Sequence, residues 1–274
     1  AAQNLGILSI PGGGMGSLER LQLLLNQRAN ILCATPTYAI RLAETALTHN
    51  IDLEESPIRT IIVAGEPGGS IPQIRKRIEN LWPNSKVYDH HGMTEVGPVT
   101  FQTKDGEDQL HVIEEAYLAE ILCPDTQQPV EDGETGELIL STLGRTGSPL
   151  LRYRTGDLVR PKHQGDRLTL EGGILGRLDD MVIIRGVNLH PGAVDSVLQN
   201  LSHIAEYQVQ INHATTLPEI GIQIEPCKEA PRTIAKQAEE ALRKHFLLRI
   251  PVEIVAENTL PRFEHKARRW QKIS

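Results

Sequence analysis

Residues 88–98 read YDHHGMTEVGP, which places His90 and His91 side by side just ahead of Thr94 and Glu95. Two imidazoles and a carboxylate this close could ligate a metal for hydrolysis. They could equally line a nucleotide-binding loop. Adjacent residues of an extended segment point to opposite faces, which counts against one ion held by both histidines. A second chemical signal is RYRTGDLVR (152–160), where Asp157 follows a Thr-Gly turn at the start of a strand. A carboxylate held there can accept hydrogen bonds from two vicinal hydroxyls, as an acidic residue does on ribose in dinucleotide folds; read alone, it is a turn former. PGGGMGS (11–17) offers backbone N–H groups ahead of a helix, a geometry that suits anions. No Lys-Ser/Thr follows, so it is not a GxxxxGK[ST] loop, and a glycine turn into a helix is the favoured reading. GRLDDMVIIRG (176–186) and LPRFEHKARRW (260–270) read singly as a surface turn and a basic tail.

The elements that must position these residues alternate between strand and helix over the first part of the chain. LERLQLLLNQ has helical spacing with Ser17 as its cap, and NILCA is a short buried strand. Thr35 and Pro36 open a second helix, RTIIVAG is another apolar strand, and Ser70 caps the helix IPQIRKRIENLW before the strand SKVYDH. Such alternation predicts a parallel α/β sheet whose ligands bind at the carboxyl ends of the strands, where the loops after Ala64 and Asp89 lie. From about residue 98, short strands alternate with Gly, Asp and Pro turns, including a hairpin-type Asp-Gly turn in EDGETGE; this predicts an antiparallel β region. After GRLDD the chain restarts as a smaller α+β unit. The expected fold class is therefore α/β, with a first domain at 1–178 and a second at 179–274.

The 274 residues carry a formal charge of −7, which argues against a nucleic-acid partner. With 39% hydrophobic and 23% charged residues the composition is that of a folded domain rather than a disordered chain. Basic clusters such as Arg75–Lys76–Arg77 and Arg268–Arg269 read as solvated helix faces or contacts to a small anion. Cys33, Cys123 and Cys227 are widely spaced, so a reducing, cytoplasmic setting is expected. No apolar run is long enough for a membrane span, and the start lacks the features of a signal peptide. It reads as an entry into the middle of a fold.

Taken together and in order, HGMTE, RYRTGD, GRLDDMVIIRGVNLHP and the terminal LPRxxxKxxR resemble the adenylate-forming superfamily of acyl-CoA synthetases, adenylation domains and luciferases. AGEP, HHGMTEVGP, LLRYRTGDLVR and IIRGVNLHP look specifically like its phenylacetate–CoA ligase and coenzyme F390 synthetase branch. The resemblance covers essentially the whole chain. It implies a large N-terminal adenylate-forming domain, built from a parallel α/β sheet and a β subdomain, followed by a small mobile C-terminal domain. It also implies ATP-dependent adenylation of a carboxylic acid, aryl in most of this branch. The acyl group then passes to coenzyme A or to another acceptor, a carrier protein or an amine, as in antibiotic and other natural-product biosynthesis.

By the family pattern, Gly65, Glu66 and Pro67 line the adenine, Asp89 meets its amino edge, and His90, His91, Gly92 and Met93 continue the pocket. Thr94 contacts the α-phosphate and Glu95 ligates Mg²⁺. Asp157 and Arg177 hold the ribose, Asp179 is the hinge, Arg185 and Gly186 face coenzyme A, and Tyr38 and Ala64 lie near the acyl pocket. Lys266 matches the catalytic lysine whose charge stabilises the pentacovalent α-phosphate. A homodimer is an expected partner state. His91 stands where relatives carry a stacking aromatic, and His265 stands where a glycine precedes the lysine. The upstream Ser/Thr/Gly-rich phosphate loop is absent, so the chain reads as N-terminally incomplete, with a truncated, non-catalytic nucleotide-binding relic or scaffold as the alternative.

Overall fold

The structure, a computed structural model, describes residues 2–103, 107–165, 167–212, 219–263 and 268–273. The first part packs helices against a short sheet around one core. Helix α1 (Ser17–Asn26) leads to β1 (Ile31–Ala34), α2 (Pro36–Thr48), β2 (Thr60–Val63), α3 (Pro72–Leu81) and β3 (Lys86–Asp89). The three strands form a parallel sheet in the order β1-β2-β3. On α2 the buried positions Tyr38, Ala39, Leu42, Ala43 and Ala46 recur at three- and four-residue spacing, the stripe a helix needs to bury one face. That stripe packs with Leu21, Ile61, Ile78, Trp82 and Val87 into one core. Trp82 is fully buried, and its indole N–H donates to the carbonyl of Ala39 at 3.0 Å, so the large ring leaves no orphan donor.

Helix starts differ in part from the sequence reading. Thr35 does cap α2: its hydroxyl accepts from the backbone N–H of Tyr38 at 3.1 Å, with Pro36 at the first turn. Ser17 does not cap α1. The cap is Gly16, whose N–H is taken by the Glu19 carboxylate at 3.2 Å, and Ser17 is already helical. Ser70 does not cap α3 either; Ile71 holds that position, because the Ser70 hydroxyl and N–H are both drawn to Asp89.

The middle of the chain is antiparallel, as the turn spacing implied. A hairpin, β4 (Gly92–Met93) and β5 (Gly97–Pro98), leads to β6 (Thr100–Phe101), β7 (Gln109–Val112), β8 (Tyr117–Leu122), β9 (Gly136–Thr142), β10 (Tyr153–Val159), β11 (Pro161–Gln164), β12 (Arg167–Glu171) and β13 (Gly176–Arg177). Two four-stranded sheets result, β13-β10-β9-β8 and β11-β12-β7-β6, closing on a core that includes Val99, Leu110, Leu138, Leu140 and Leu170. Asp132–Gly133 is not a tight hairpin: it sits in the longer connection 123–135, where the Gly133 N–H donates to the Pro161 carbonyl.

The last part has a third core. The hairpin β14 (Val182–Ile184) and β15 (Val187–Leu189) precedes α4 (Pro191–Gln199), β16 (Ile204–Asn212), β17 (Glu219–Pro226), α5 (Ile234–Phe246), β18 (Val252–Ile254) and β19 (Trp270–Ile273). A mixed sheet, β18-β17-β16-β19, packs its Val209, Ile211, Ile222 and Ile224 against Val194 and Leu198 of α4 and Ala238 and Leu242 of α5. Among the described residues no helix is long and apolar enough to cross a membrane.

The two cap assignments give contrasting stabilities. Thr35→Ala is expected to cost about 1 kcal/mol. Ser17→Ala is expected to cost less than about 0.5 kcal/mol, because the serine satisfies no helix-start donor. Urea unfolding midpoints of the two variants check the difference.

Candidate active site

The carboxyl ends of β2 and β3 open onto a cavity of about 610 Å³. One wall is the loop 65–67 and the run 89–93, so Gly65, Glu66, Pro67, Asp89, His90, His91, Gly92 and Met93 come together as the sequence reading expected. Asp157 and Arg177 join them from β10 and β13, where the two residues are paired in register. The opposite wall comes from the third core: α4, the start of β16, and residues 262, 263 and 268–270.

Asp157 is 5% exposed, yet it is not a turn residue. It lies inside β10, where Gly156 has φ +74° and the register shifts between Arg154 and Leu158. This bulge re-aims the strand. The carboxylate meets His91 Nε2 at 3.0 Å through Oδ2 and accepts from Arg177 Nη1 at 3.3 Å through Oδ1. Arg177 also donates to Asp179 at 2.9 Å, so one guanidinium spans both carboxylates. His91 is fixed by its backbone, which donates to Thr100 Oγ1 and accepts from Val99 and Thr100. Its ring edge is committed to Asp157, and Nδ1 is buried with no hydrogen-bond partner. Burial, and then the neighbouring His91 charge, push the pKa of His90 down and favour its neutral imidazole.

Asp89 shows how tightly the two strand ends are packed. Its Oδ2 accepts from the N–H and the hydroxyl of Ser70, both at 2.8 Å, and its own N–H donates to Gln102 at 2.7 Å. Gly69 makes this approach possible: a Cβ there would stand 2.4 Å from Val63 Cγ2 and 2.6 Å from Asp89 Cβ. Burial drives the Asp89 pKa up from 3.8 to about 6, against the opposing pull of the Ser70 hydrogen bonds.

Other expected site residues fall outside this cavity. Thr94 and Glu95 are exposed at the tip of the β4–β5 hairpin, where the Glu95 carbonyl accepts from Arg145. Tyr38 and Ala64 do not line it. Tyr38 is buried against α1, with its hydroxyl donating to Ser17 at 3.3 Å and Arg20 lying 4.8 Å over its ring, while Thr37 and Ile40 face the cavity instead. Arg185 and Gly186 form the exposed turn of the β14–β15 hairpin, with φ of 50° and 81°. Asp179 borders a smaller recess beside Gly156. Lys266 and His265 lie outside the described residues. At the glycine turn Arg20 donates to the carbonyls of Gly12 and Met15 at 2.7 Å each, which ties the turn to α1. Among the described residues no group of three His, Cys, Asp or Glu could hold a metal ion, so His90, His91 and Glu95 do not assemble a metal centre.

The wall from the third core was not foreseen. Arg269 donates to Glu206 at 2.6 and 3.2 Å and lies 5.1 Å over the Tyr207 ring, whose hydroxyl donates to Asp195 at 3.0 Å. Burial opposes the Arg269 charge, but the Glu206 pair outweighs it and raises the pKa. Burial raises that of Asp195. Arg77 reaches across to Gln199 at 3.2 Å. The basic clusters are solvated only in part: Lys76 and Arg268 are exposed, whereas Arg75 is buried on Asp108 and the Glu107 carbonyl, and Arg77, Arg268 and Arg269 border the cavity. The doublets themselves were the available signal.

Residues 11–145 match the AMP-binding enzyme family, and residues 186–271 match the AMP-binding enzyme C-terminal domain. The chain belongs to the adenylate-forming superfamily, in its phenylacetate–CoA ligase-like branch. Among its relatives is the phenylacetate-coenzyme A ligase of Thermus thermophilus, 31% identical over 86% of this chain and 54% of that protein. The chain therefore spans about half the length of that relative. A solved 2-hydroxyisobutyryl-CoA ligase, in its postadenylation state with an acyl-AMP, superposes with a TM-score of 0.91 at 28% identity, over 99% of this chain and 61% of that one. The same ligase in its thioesterification state, with acyl-AMP and CoA, gives 0.62 at 28% identity over 99% and 60%.

The clamp on Asp89 makes stability depend on pH. In the fold the neutral carboxyl is favoured, so native Asp89 keeps a proton that the unfolded chain releases between its ordinary pKa of 3.8 and about 6. Its contribution is complete below the lower value and lost as pH rises through the upper one. From about pH 4 to about pH 7 the wild type should lose about 2 kcal/mol that Asp89→Asn does not lose. Chemical unfolding of both proteins across that range measures it.

Proposed function

We propose that the protein containing this chain activates a carboxylic acid by ATP-dependent adenylation and transfers the acyl group to the thiol of coenzyme A. The observation that carries this reading is the convergence on one cavity of the loops 65–67 and 89–93 with the buried Asp157 and its partner Arg177. Membership of the adenylate-forming superfamily supports it, as do relatives whose names specify CoA ligases.

In the first step a carboxylate oxygen attacks the α-phosphorus of ATP. A P–O bond forms, the α–β phosphoanhydride bond breaks, and pyrophosphate leaves with the bonding electrons. In the second, the CoA thiolate attacks the acyl carbonyl and AMP departs. Gly65, Glu66 and Pro67 line the adenine, with Asp89 and His90 through Met93 completing its pocket. Asp157 accepts hydrogen bonds from the ribose hydroxyls; His91 and Arg177 hold that carboxylate in place, at 3.0 and 3.3 Å. Thr94 at the hairpin tip meets the α-phosphate. Glu95, an exposed carboxylate, suits Mg²⁺, which takes one or two protein carboxylates and completes its shell with phosphate and water. When bound, the ion neutralises charge on the phosphates. Lys266 supplies a point charge to the pentacovalent phosphate. Asp179 is the hinge between units 1–178 and 179–274, and Arg185 and Gly186 serve the CoA half-reaction. The acid is aryl, the setting cytoplasmic, and the assembly a homodimer; an amine or carrier-protein acceptor, as in natural-product biosynthesis, is the competing outcome.

Carboxylate-dependent exchange of labelled pyrophosphate into ATP, run on the intact protein with aryl and aliphatic acids, tests the reading. Exchange is expected with aryl acids first, and Lys266→Ala should lower it at least about a hundredfold. AMP binding without exchange for any acid overturns it in favour of a non-catalytic nucleotide binder.

A further inference from the structure

Helix α4 has two faces with different business. Val194, Val197 and Leu198 are buried in the third core, whereas Gly192, Asp195 and Gln199, spaced at i, i+3 and i+7, turn toward the cavity and the first two cores. Two contacts tie that second face across the seam. The first is Arg77 on α3, which donates to Gln199 Oε1 at 3.2 Å while its other Nη lies 3.7 Å from Glu44. The second is steric. A Cβ on Gly192 would stand 2.3 Å from the carbonyl oxygen of Leu175, and Leu175 is itself held by its N–H on the Leu158 carbonyl. That oxygen belongs to backbone hydrogen-bonded to the β10 sheet, so it cannot swing aside like the end of a flexible side chain. Gly192 is helical, so its own helix has no need of glycine; alanine is the better helix former. Only the docked neighbour requires a bare Cα.

The arrangement that makes these contacts superposes far better on the postadenylation state of a related ligase than on its thioesterification state. We infer that Gly192, backed by the Arg77–Gln199 hydrogen bond, is a positioning residue that selects the adenylating arrangement of the two parts of the chain. It acts by allowing α4 to seat on the Leu175 carbonyl, and it is dispensable once the parts have moved to the thioester-forming arrangement. The inference rests on the adenylation and thioester steps proposed above. A side chain at 192 raises the free energy of one arrangement and leaves the other untouched, which shifts a population rather than damaging a core.

The two half-reactions separate this from a general loss of fold. In the intact protein, Gly192→Ala should lower acid-dependent pyrophosphate exchange by about tenfold or more, the scale of an overpacked contact. Thioester formation from chemically supplied acyl-AMP and CoA should stay within about twofold, and the thermal midpoint should not fall, as alanine favours the helix. Arg77→Ala should move the same ratio in the same direction by a smaller factor. Equal loss in both half-reactions, or no loss in either, overturns the inference. Absence of exchange in the wild type would instead overturn the functional reading. In that case small-angle scattering with AMP decides: the Gly192→Ala curve must depart from the wild-type curve, and identical curves refute the role of Gly192.

Discussion

A carboxylate taken out of water needs compensating charge or hydrogen bonds, and Asp157 is the buried carboxylate on which this structure turns. Its two oxygens are met by side chains from different parts of the chain. His91 comes from the turn after β3, and Arg177 from the short strand that ends the antiparallel region. Each partner is fixed by its own neighbours, His91 through Thr100 and Arg177 through Asp179. Satisfying one charge thus fastens the parallel sheet to the antiparallel sheets and orients the strand leading into the third core.

The same requirement recurs on the other side of the cavity. Arg269 keeps its charge because Glu206 faces it, and Tyr207 links that pair to Asp195. Each wall thus carries an ion pair of its own. Among the described residues the contacts that join the two walls include a hydrogen bond from Arg77 and the bare backbone of Gly192.

Much of this was legible in the residues, and the reasons are local. Strand-end loops could be recognised because apolar runs stop at glycine and proline, and Thr35 could be recognised as a cap because nothing else competes for it. Ser70 misled because a distant carboxylate, Asp89, outbids its own helix for the hydroxyl and the N–H. Asp157 was singled out at the start of a strand, and taken alone as a turn former; it lies inside β10 instead, and the bulge at Gly156 is a property of the register with β9, which sequence spacing does not carry. Arg77 and Gln199 are separated by 122 positions, and Glu206 and Arg269 by 63, so nothing nearby marks either pair. Tyr38 was placed near the acyl pocket by its position in the family pattern; that its hydroxyl meets Ser17 and its ring lies under Arg20 is a pairing between α1 and α2 that spacing does not carry.

In the proposed function Asp157 is the group that would read the ribose. Calorimetric titration of the intact protein with AMP and with 2′,3′-dideoxy-AMP, repeated on Asp157→Asn, tests that most directly. The wild type should prefer AMP by about tenfold to a hundredfold, the worth of hydrogen bonds to a charged acceptor. Asp157→Asn should bind the two nucleotides with nearly equal affinity. Equal affinities in the wild type would contradict the account.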